Sequence, residues 1–262
     1  MPELPDVEGY RRYFARYAEG KRVTGIEVPA PDVLRNTTPQ ALGRSLRGRR
    51  FDSPLRHGKW LLAPAAGPTL LFHFGMTGRF AWSGRRSEDH RHDRVIFQFG
   101  DARLRYRNMR KLGGVWLARH RAEIDRITGP LGPDALEIDG EIFEELLSGR
   151  RGGVKAALMN QELIAGIGNE LSDEILWQAR IHPSRRLVTV DRRQRRKLHR
   201  TMQRALRESI RHGRIPRKPS WITSQRGRRD PVCPRCRGEV RRSAVAGRTS
   251  YWCPRCQTAR GA

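Results

Sequence analysis

The sequence predicts an α+β protein: an N-terminal helix and an antiparallel β-sandwich, then a helical segment that ends in a zinc-binding β-hairpin. Three observations carry this. Between Lys21 and Leu117 the apolar residues fall in short runs with period-2 character, whereas after about position 140 they recur every three or four residues. A Pro/Gly cluster, Gly129-Pro130-Leu131-Gly132-Pro133, separates the two regimes. All four cysteines lie beyond position 230, as two Cys-x2-Cys pairs. The expected domains are therefore residues 1–128, 134–229 and 230–262.

The first element reads as a helix. Pro5 suits an opening turn, Glu3, Asp6 and Glu8 suit the positive helix end, and Val7, Tyr10, Phe14 and Tyr17 share a face before Gly20 stops it. Strands are expected at 23–28, 61–63, 70–74, 94–99, 104–106 and 115–117, with Gly100-Asp101 as a hairpin turn. Helices are expected at 141–147 and 154–160. Another is expected from Asn169, as its cap, to about Gln178, after the break at Gly166-Ile167-Gly168. The clearest helix runs from Asp191 to His212, where Leu198, Met202, Leu206 and Ile210 form a stripe and Gly213 is the stop.

Composition limits the function classes. The 262 residues include 53 Lys+Arg against 27 Asp+Glu, a net charge of +26. A surface this cationic attracts nucleic acid or an anionic membrane. The most apolar stretch, Trp60 to Met76, is interrupted by Pro64, Gly67, Pro68 and His73, so no membrane span is expected. No basic region followed by an apolar core opens the chain, and an intracellular protein is expected. Only Lys21, Lys59, Lys111, Lys155, Lys197 and Lys218 are lysines; the other 47 cations are arginines. Where arginine is the default, a retained lysine points to amine chemistry. The charge is also concentrated: 17 basic residues and two acids lie between Ser184 and Arg229, a net +15.

The spacing Cys233-x2-Cys236-x16-Cys253-x2-Cys256 fits one tetrahedral, structural Zn2+ held by two thiolate knuckles. Metal binding supplies much of the folding energy of so short a segment. With Arg235, Arg237, Arg241, Arg242, Arg248 and Arg255 on it, the hairpin reads as a nucleic-acid module. The N-terminus adds chemistry. Removal of Met1 would expose the secondary amine of Pro2. An α-amino group titrates near ~8 and can attack a sugar carbon to form an iminium, with the Glu3 carboxylate beside it to move protons.

Six segments in order resemble the formamidopyrimidine-DNA glycosylase / endonuclease VIII family. They are Met1-Pro2-Glu3-Leu4-Pro5-Asp6-Val7-Glu8, His57-Gly58-Lys59, His73-Phe74-Gly75-Met76-Thr77-Gly78 and Arg107-Asn108-Met109-Arg110-Lys111-Leu112-Gly113. The fifth is Val154-Lys155 with Gly166-Ile167-Gly168-Asn169 and Asp173-Glu174, and the sixth is Arg248 to Gln257. The resemblance implies a β-sandwich followed by a helix–two-turn–helix domain with a zinc finger, with DNA between the domains. It implies a bifunctional glycosylase/AP lyase of base excision repair that excises oxidised bases through a Schiff base and cleaves the strand by β,δ-elimination. Pro2 would be the nucleophile, Glu3 the acid/base, and Lys59 a phosphate contact that assists catalysis. Met76, Arg110 and Leu112 would fill the void left by an everted nucleotide. Asn169 and Arg248 would hold the flanking phosphates, and Lys155 would lie near the base pocket. The resemblance further implies damaged DNA as partner, a monomer, and a prokaryote-like cytoplasmic, nucleoid-associated location.

The sequence departs from the family pattern at several places. Asp6 stands for a glutamate, Leu112 for an aromatic wedge and Leu171 for an aromatic. The link from Ile215 to Cys233 is too short for the loop that caps oxidised guanine. Ile175-Leu176-Trp177-Gln178 and Tyr251-Trp252-Cys253-Pro254 look more like the endonuclease VIII branch, which implies oxidised pyrimidines as substrates.

Overall fold

The computed structural model describes residues 1–84 and 88–258; the last four residues of the expected zinc segment, 259–262, lie outside it. The chain folds as two compact units. One comprises residues 1–2 and 6–130; the other comprises residues 3–5 and 131–262.

The first unit holds most of helix α1 (Leu4–Ala18) and two four-stranded antiparallel sheets. The strands are β1 (Gly25–Glu27), β2 (Leu55–His57), β3 (Trp60–Pro64), β4 (Thr69–His73), β5 (Arg79–Gly84), β6 (Asp93–Phe99), β7 (Ala102–Arg107) and β8 (Gly114–Ala118). One sheet has the order β1-β6-β7-β5 and the other β2-β3-β4-β8. Period-2 alternation turns one face of each sheet inward. Phe72 of β4 therefore meets Phe80, Phe97 and Tyr106 of the other sheet, with ring centroids 5.1 to 6.1 Å apart. Phe14 of α1 joins the same core through Phe51 and Phe72. Helices α2 (Pro39–Leu46), capped by the Thr38 hydroxyl, and α3 (Arg121–Thr128) add two elements that the periodicity did not indicate, as do β2 and β5. Each helix offers only two large apolar residues, Leu42 and Leu46 or Ile124 and Ile127, too few for a clear 3.6-residue pattern. The three-residue β2 is half-buried on an edge.

The second unit contains α4 (Gly140–Leu147), α5 (Val154–Met159), α6 (Asn169–Ala179) and α7 (Arg192–Arg211). Their core includes Leu158, Ile164, Ile175, Leu198, Met202 and Leu206, and Leu4 joins it. Asp191 starts α7 with a capping box, its side chain accepting from Gln194 N while Gln194 reaches back to Asp191 N. The hairpin β9 (Arg241–Val245) and β10 (Arg248–Trp252) closes the chain. It packs on α6 through Trp177, Ile222, Tyr251, Cys233 and Cys253, so the zinc segment shares a core with the helices.

Candidate active site and nucleic-acid interface

Glu3 is 1% exposed. Its Oε2 accepts from Gly168 N (2.7 Å) and Leu171 N (3.2 Å), and its Oε1 from Glu170 N (2.8 Å). These are amides at the start of α6 that the helix itself leaves unpaired, and the helix dipole favours an anion there. The sequence suggested Asn169 as the cap of this helix. The structure corrects that: Gly168 is the N-cap residue, and the capping carboxylate comes from Glu3. Glycine is required at 168 because a Cβ there would lie 2.4 Å from Glu3 Cδ. Pro2, covalently next to this anchored residue, is half-buried behind an exposed Met1.

Lys59 sits with Gly58 in the turn between β2 and β3. Arg56, its side chain 4% exposed, braces this turn: Nε donates to Glu8 Oε2 (3.3 Å) and Nη1 to Gly58 O (3.4 Å). Burial alone would raise the Glu8 carboxyl, but hydrogen bonds and charge from Arg11, joined by Arg56 and Arg12, hold it below the ordinary range. Behind the turn, His73 packs on Trp60 with ring centroids 5.1 Å apart. Burial, aided by the Lys59 charge, pushes the His73 imidazole down to about 4, so it is neutral near pH 7.

The turn after β4 and the loop after β7 are laced together. Asn108 is fully buried; its Oδ1 accepts from the Thr77 hydroxyl (2.9 Å) and Lys111 N (3.1 Å), while its Nδ2 donates to the Tyr106 hydroxyl (2.9 Å). Gly113 passes so close to the turn that a Cβ would lie 2.0 Å from His73 O. The result is a short platform. Met76, Met109 and Leu112 stand 43%, 54% and 59% exposed on it, which is unusual for large apolar side chains in a folded unit. Arg110 lies among them, its Nη1 3.3 Å from Met76 Sδ. The fold thus brings Met76, Arg110 and Leu112 together. It adds Met109, which sequence reasoning missed; its only sequence signal was a second large apolar residue, beside Leu112, in a polar loop.

In the second unit, Asn169 Nδ2 donates to Thr249 O (3.0 Å), which places it beside the exposed Arg248 at the start of β10. Lys155 is a different matter. It is fully buried, and its Nζ donates to Asn169 Oδ1 (2.7 Å), Asp173 Oδ1 (2.6 Å) and the Ser250 hydroxyl. An ammonium has three donors, and all three are spent inside the unit. Expected near the base pocket, Lys155 has no donor to spare for a ligand in this structure, and it supports Asn169. Burial pulls the Lys155 ammonium down and the Asp173 carboxyl up, against their mutual attraction. Asp173 in turn accepts from Tyr251 N (3.0 Å) and Arg226 Nη1 (2.5 Å). The pair therefore links α5, α6 and the hairpin. Asp173 was legible only as part of a motif.

The four cysteine sulfurs lie within 4.8 Å of one another, with Cys233–Cys256 at 3.9 Å and Cys236–Cys253 at 3.4 Å. Zn–S bonds of about 2.3 Å at tetrahedral angles place sulfurs about 3.8 Å apart, so the donor set fits one structural zinc ion. The Trp177 indole N–H donates to Cys233 Sγ (3.4 Å) and ties the site to α6. Among the described residues, no helix is long and apolar enough to cross a membrane.

Comparison with known proteins adds the class. Residues 1–115 match the formamidopyrimidine-DNA glycosylase N-terminal domain, residues 131–218 its H2TH domain, and residues 230–259 the zinc finger found in FPG and IleRS. The formamidopyrimidine-DNA glycosylases of Pelotomaculum thermopropionicum and Geobacter metallireducens are each 34% identical. Both alignments cover 98% of this chain, with 99% and 100% of the relative. A Lactococcus lactis Fpg bound to DNA containing N7-benzyl-Fapy-dG superposes with a TM-score of 0.88 at 28% identity, over 98% of this chain and 100% of that one. The L. lactis enzyme with DNA containing an oxidised pyrimidine gives a TM-score of 0.89 at 27% identity, with the same coverage. Fold, site and thiolate hairpin together define a DNA-repair glycosylase equipped with a zinc finger. The chain belongs to the formamidopyrimidine-DNA glycosylase family.

Proposed function

We propose that the protein is a bifunctional DNA glycosylase/AP lyase that removes oxidised bases from DNA. The observation that carries this reading is the anchoring of Glu3 by three backbone amides, which fixes the residue next to the Pro2 nitrogen. Once Met1 is removed, that nitrogen is a secondary amine. It attacks C1′ of the damaged nucleotide, the C1′–base bond breaks, and the base leaves with a proton. The sugar ring opens as the nitrogen lone pair forms an iminium, which acidifies the C2′ hydrogen. Loss of that proton expels the 3′ phosphate in β-elimination, and a second elimination expels the 5′ phosphate. Glu3 serves the ring oxygen and the leaving base as acid/base. Lys59 contacts the lesion phosphate from its braced turn.

Eversion of a nucleotide costs a few kcal/mol of stacking. Met76, Arg110 and Leu112 fill the space left in the stack, with Met109 beside them. Asn169 and Arg248 hold the flanking phosphates, and Lys155 acts as a positioning residue through Asn169. Zinc supplies no reaction step; it holds the hairpin that carries Arg248. The relatives carry the formamidopyrimidine name, while the departures at 112, 171 and the 215–233 link favour small oxidised bases, pyrimidines included. The bacterial relatives support a cytoplasmic setting.

Borohydride trapping tests the reading. Protein whose mass shows Met1 removed should form a covalent adduct with an abasic or thymine-glycol duplex, and Pro2→Gly should abolish most of it. Processed, zinc-loaded protein that binds the duplex but yields no adduct would be a catalytically silent damaged-DNA binder, and the proposal would fall.

A further inference from the structure

Helix α7 carries nine cations and one acid, Glu208, in 20 residues. They are not spread evenly. Arg192, Arg195 and Arg196 lie on a flank where Glu144 of α4 reaches all three, at 2.8, 3.8 and 3.4 Å. Arg193, Lys197, Arg200, Arg204 and Arg207 recur at steps of four, three, four and three residues, and so form one straight stripe. All five are exposed, and among the described residues none forms an ion pair with a carboxylate. Glu208, beside the stripe, is turned away into a salt bridge with Lys218 and a longer one with Arg211. The opposite face, with Leu198, Met202 and Leu206, is buried.

The stripe continues onto neighbouring elements. Arg180 is the left-handed C-cap of α6, and Arg235 of the first zinc knuckle stacks on Trp177 of α6; burial, with the charges of Arg180, Arg235 and Arg193, pulls the Lys197 ammonium down. Like charges at these spacings destabilise a helix. The fold gives one flank of α7 a shared carboxylate, Glu144, and among the described residues gives the other none. An arginine-rich composition alone does not produce that asymmetry. Arg180 ends the helix that Asn169 begins, so the stripe starts roughly 15 Å, the length of α6, from the residue assigned to the lesion phosphates.

We propose that the exposed stripe of α7, extended by Arg180 and Arg235, is a second DNA-binding surface that holds the phosphate backbone of undamaged duplex, apart from the site that handles the lesion. The 14 helical steps from Arg193 to Arg207 cover about 21 Å, or roughly six base pairs of duplex. Contacts to the phosphate backbone carry no sequence information, so it binds without sequence preference. The inference rests on the reading of the chain as a DNA enzyme but not on lyase chemistry, because its readout is equilibrium binding rather than adduct formation.

The test compares two zinc-loaded, full-length variants of equal charge loss. One carries Arg193→Gln, Arg200→Gln, Arg204→Gln and Arg207→Gln. The other carries Arg16→Gln, Arg22→Gln, Arg44→Gln and Arg47→Gln, exposed residues of the first unit. Affinity for an undamaged duplex of about 40 base pairs is measured against salt. Each lost phosphate contact lowers the log–log slope by roughly 0.9, so the stripe variant should lose about 2 to 4 and the control under about 1. Single-turnover excision from a short lesion duplex, followed for both, should stay within about twofold of wild type. Equal slope losses in both variants would mean a diffuse field and overturn the proposal, as would an unchanged slope. A second measurement needs no variant. Lys197 is the one lysine of α7, and excess undamaged duplex should protect it from amine acylation at least about fivefold, the loss of access expected at a contact that excludes solvent. Undiminished acylation would also overturn the proposal.

Discussion

Glu3 shows how much can depend on one residue without a side chain. Its carboxylate fits the start of α6 only because position 168 has no Cβ. Replacing Gly168 by Ala should force Glu3 out of its three hydrogen bonds. The expected cost is about 1–3 kcal/mol of stability, the usual range for overpacking. Displacement of the neighbouring Pro2 should slow adduct formation by roughly 100-fold. Denaturant melts and trapping rates on Gly168→Ala protein measure the two effects, and a normal trapping rate would remove the proposed link between the cap and the amine. Lys155 teaches the reverse lesson. Its scarcity as a lysine marked it as special, but nothing in the sequence told that Asn169, Asp173 and Ser250, up to 95 positions away, take all its donors.

At the scale of elements, α6 is the hub of the second unit. Its first turn binds Glu3, its middle carries Asp173 and Glu174, and Trp177 near its end touches the zinc site. Glu174 is fully buried, and burial pushes its carboxyl up to about 7, against donors from Gln178 and Thr223 N. The ordinary value is about 4.3, so the folded state holds this proton more tightly than the unfolded chain. Its contribution is complete below about pH 4.3 and is lost as pH rises through about 7. Glu174→Gln should therefore gain stability relative to wild type between pH 5 and 8, by on the order of 3 kcal/mol at the alkaline end. Parallel melting curves over that range would contradict the assignment. The long, capped α7 and the paired strands β6 and β7 were legible because each carries its own periodicity and its own stop. The apolar-poor helices α2 and α3 and the edge strand β2 take their form from what they pack against, which a local window does not contain.

At the scale of the molecule, each unit has its own core, and three of the six tryptophans fall in each. Trp60, Trp82 and Trp116 belong to the sandwich; Trp177, Trp221 and Trp252 belong to the helical, zinc-bearing unit. Stripping zinc with a chelator should release four thiolates, free the Trp177 indole and unpair the hairpin that holds Tyr251 and Thr249 against α6. In a spectrum of the six indole N–H groups, Trp177 and Trp252 should shift while Trp60, Trp82 and Trp116 stay in place. Adduct formation should be lost at the same time, because Arg248 and Asn169 lose their support. Movement of all six signals would show that the units do not unfold separately.

Some of this protein is written along the chain. Cysteine spacing announces zinc, alternation and helical repeats announce the two kinds of unit, and the motif at Pro2-Glu3 announces an amine beside a carboxylate. Those features are local, or depend on fixed spacing, and need no partner to be read. The tertiary structure decided the rest: that Glu3 caps α6, that Asn108 ties two loops into one platform, that Lys155 is spent indoors, and that one flank of α7 meets a carboxylate while the other does not. Each of these pairs groups far apart in sequence, and only folding decides which donors a buried carboxylate or ammonium finally meets.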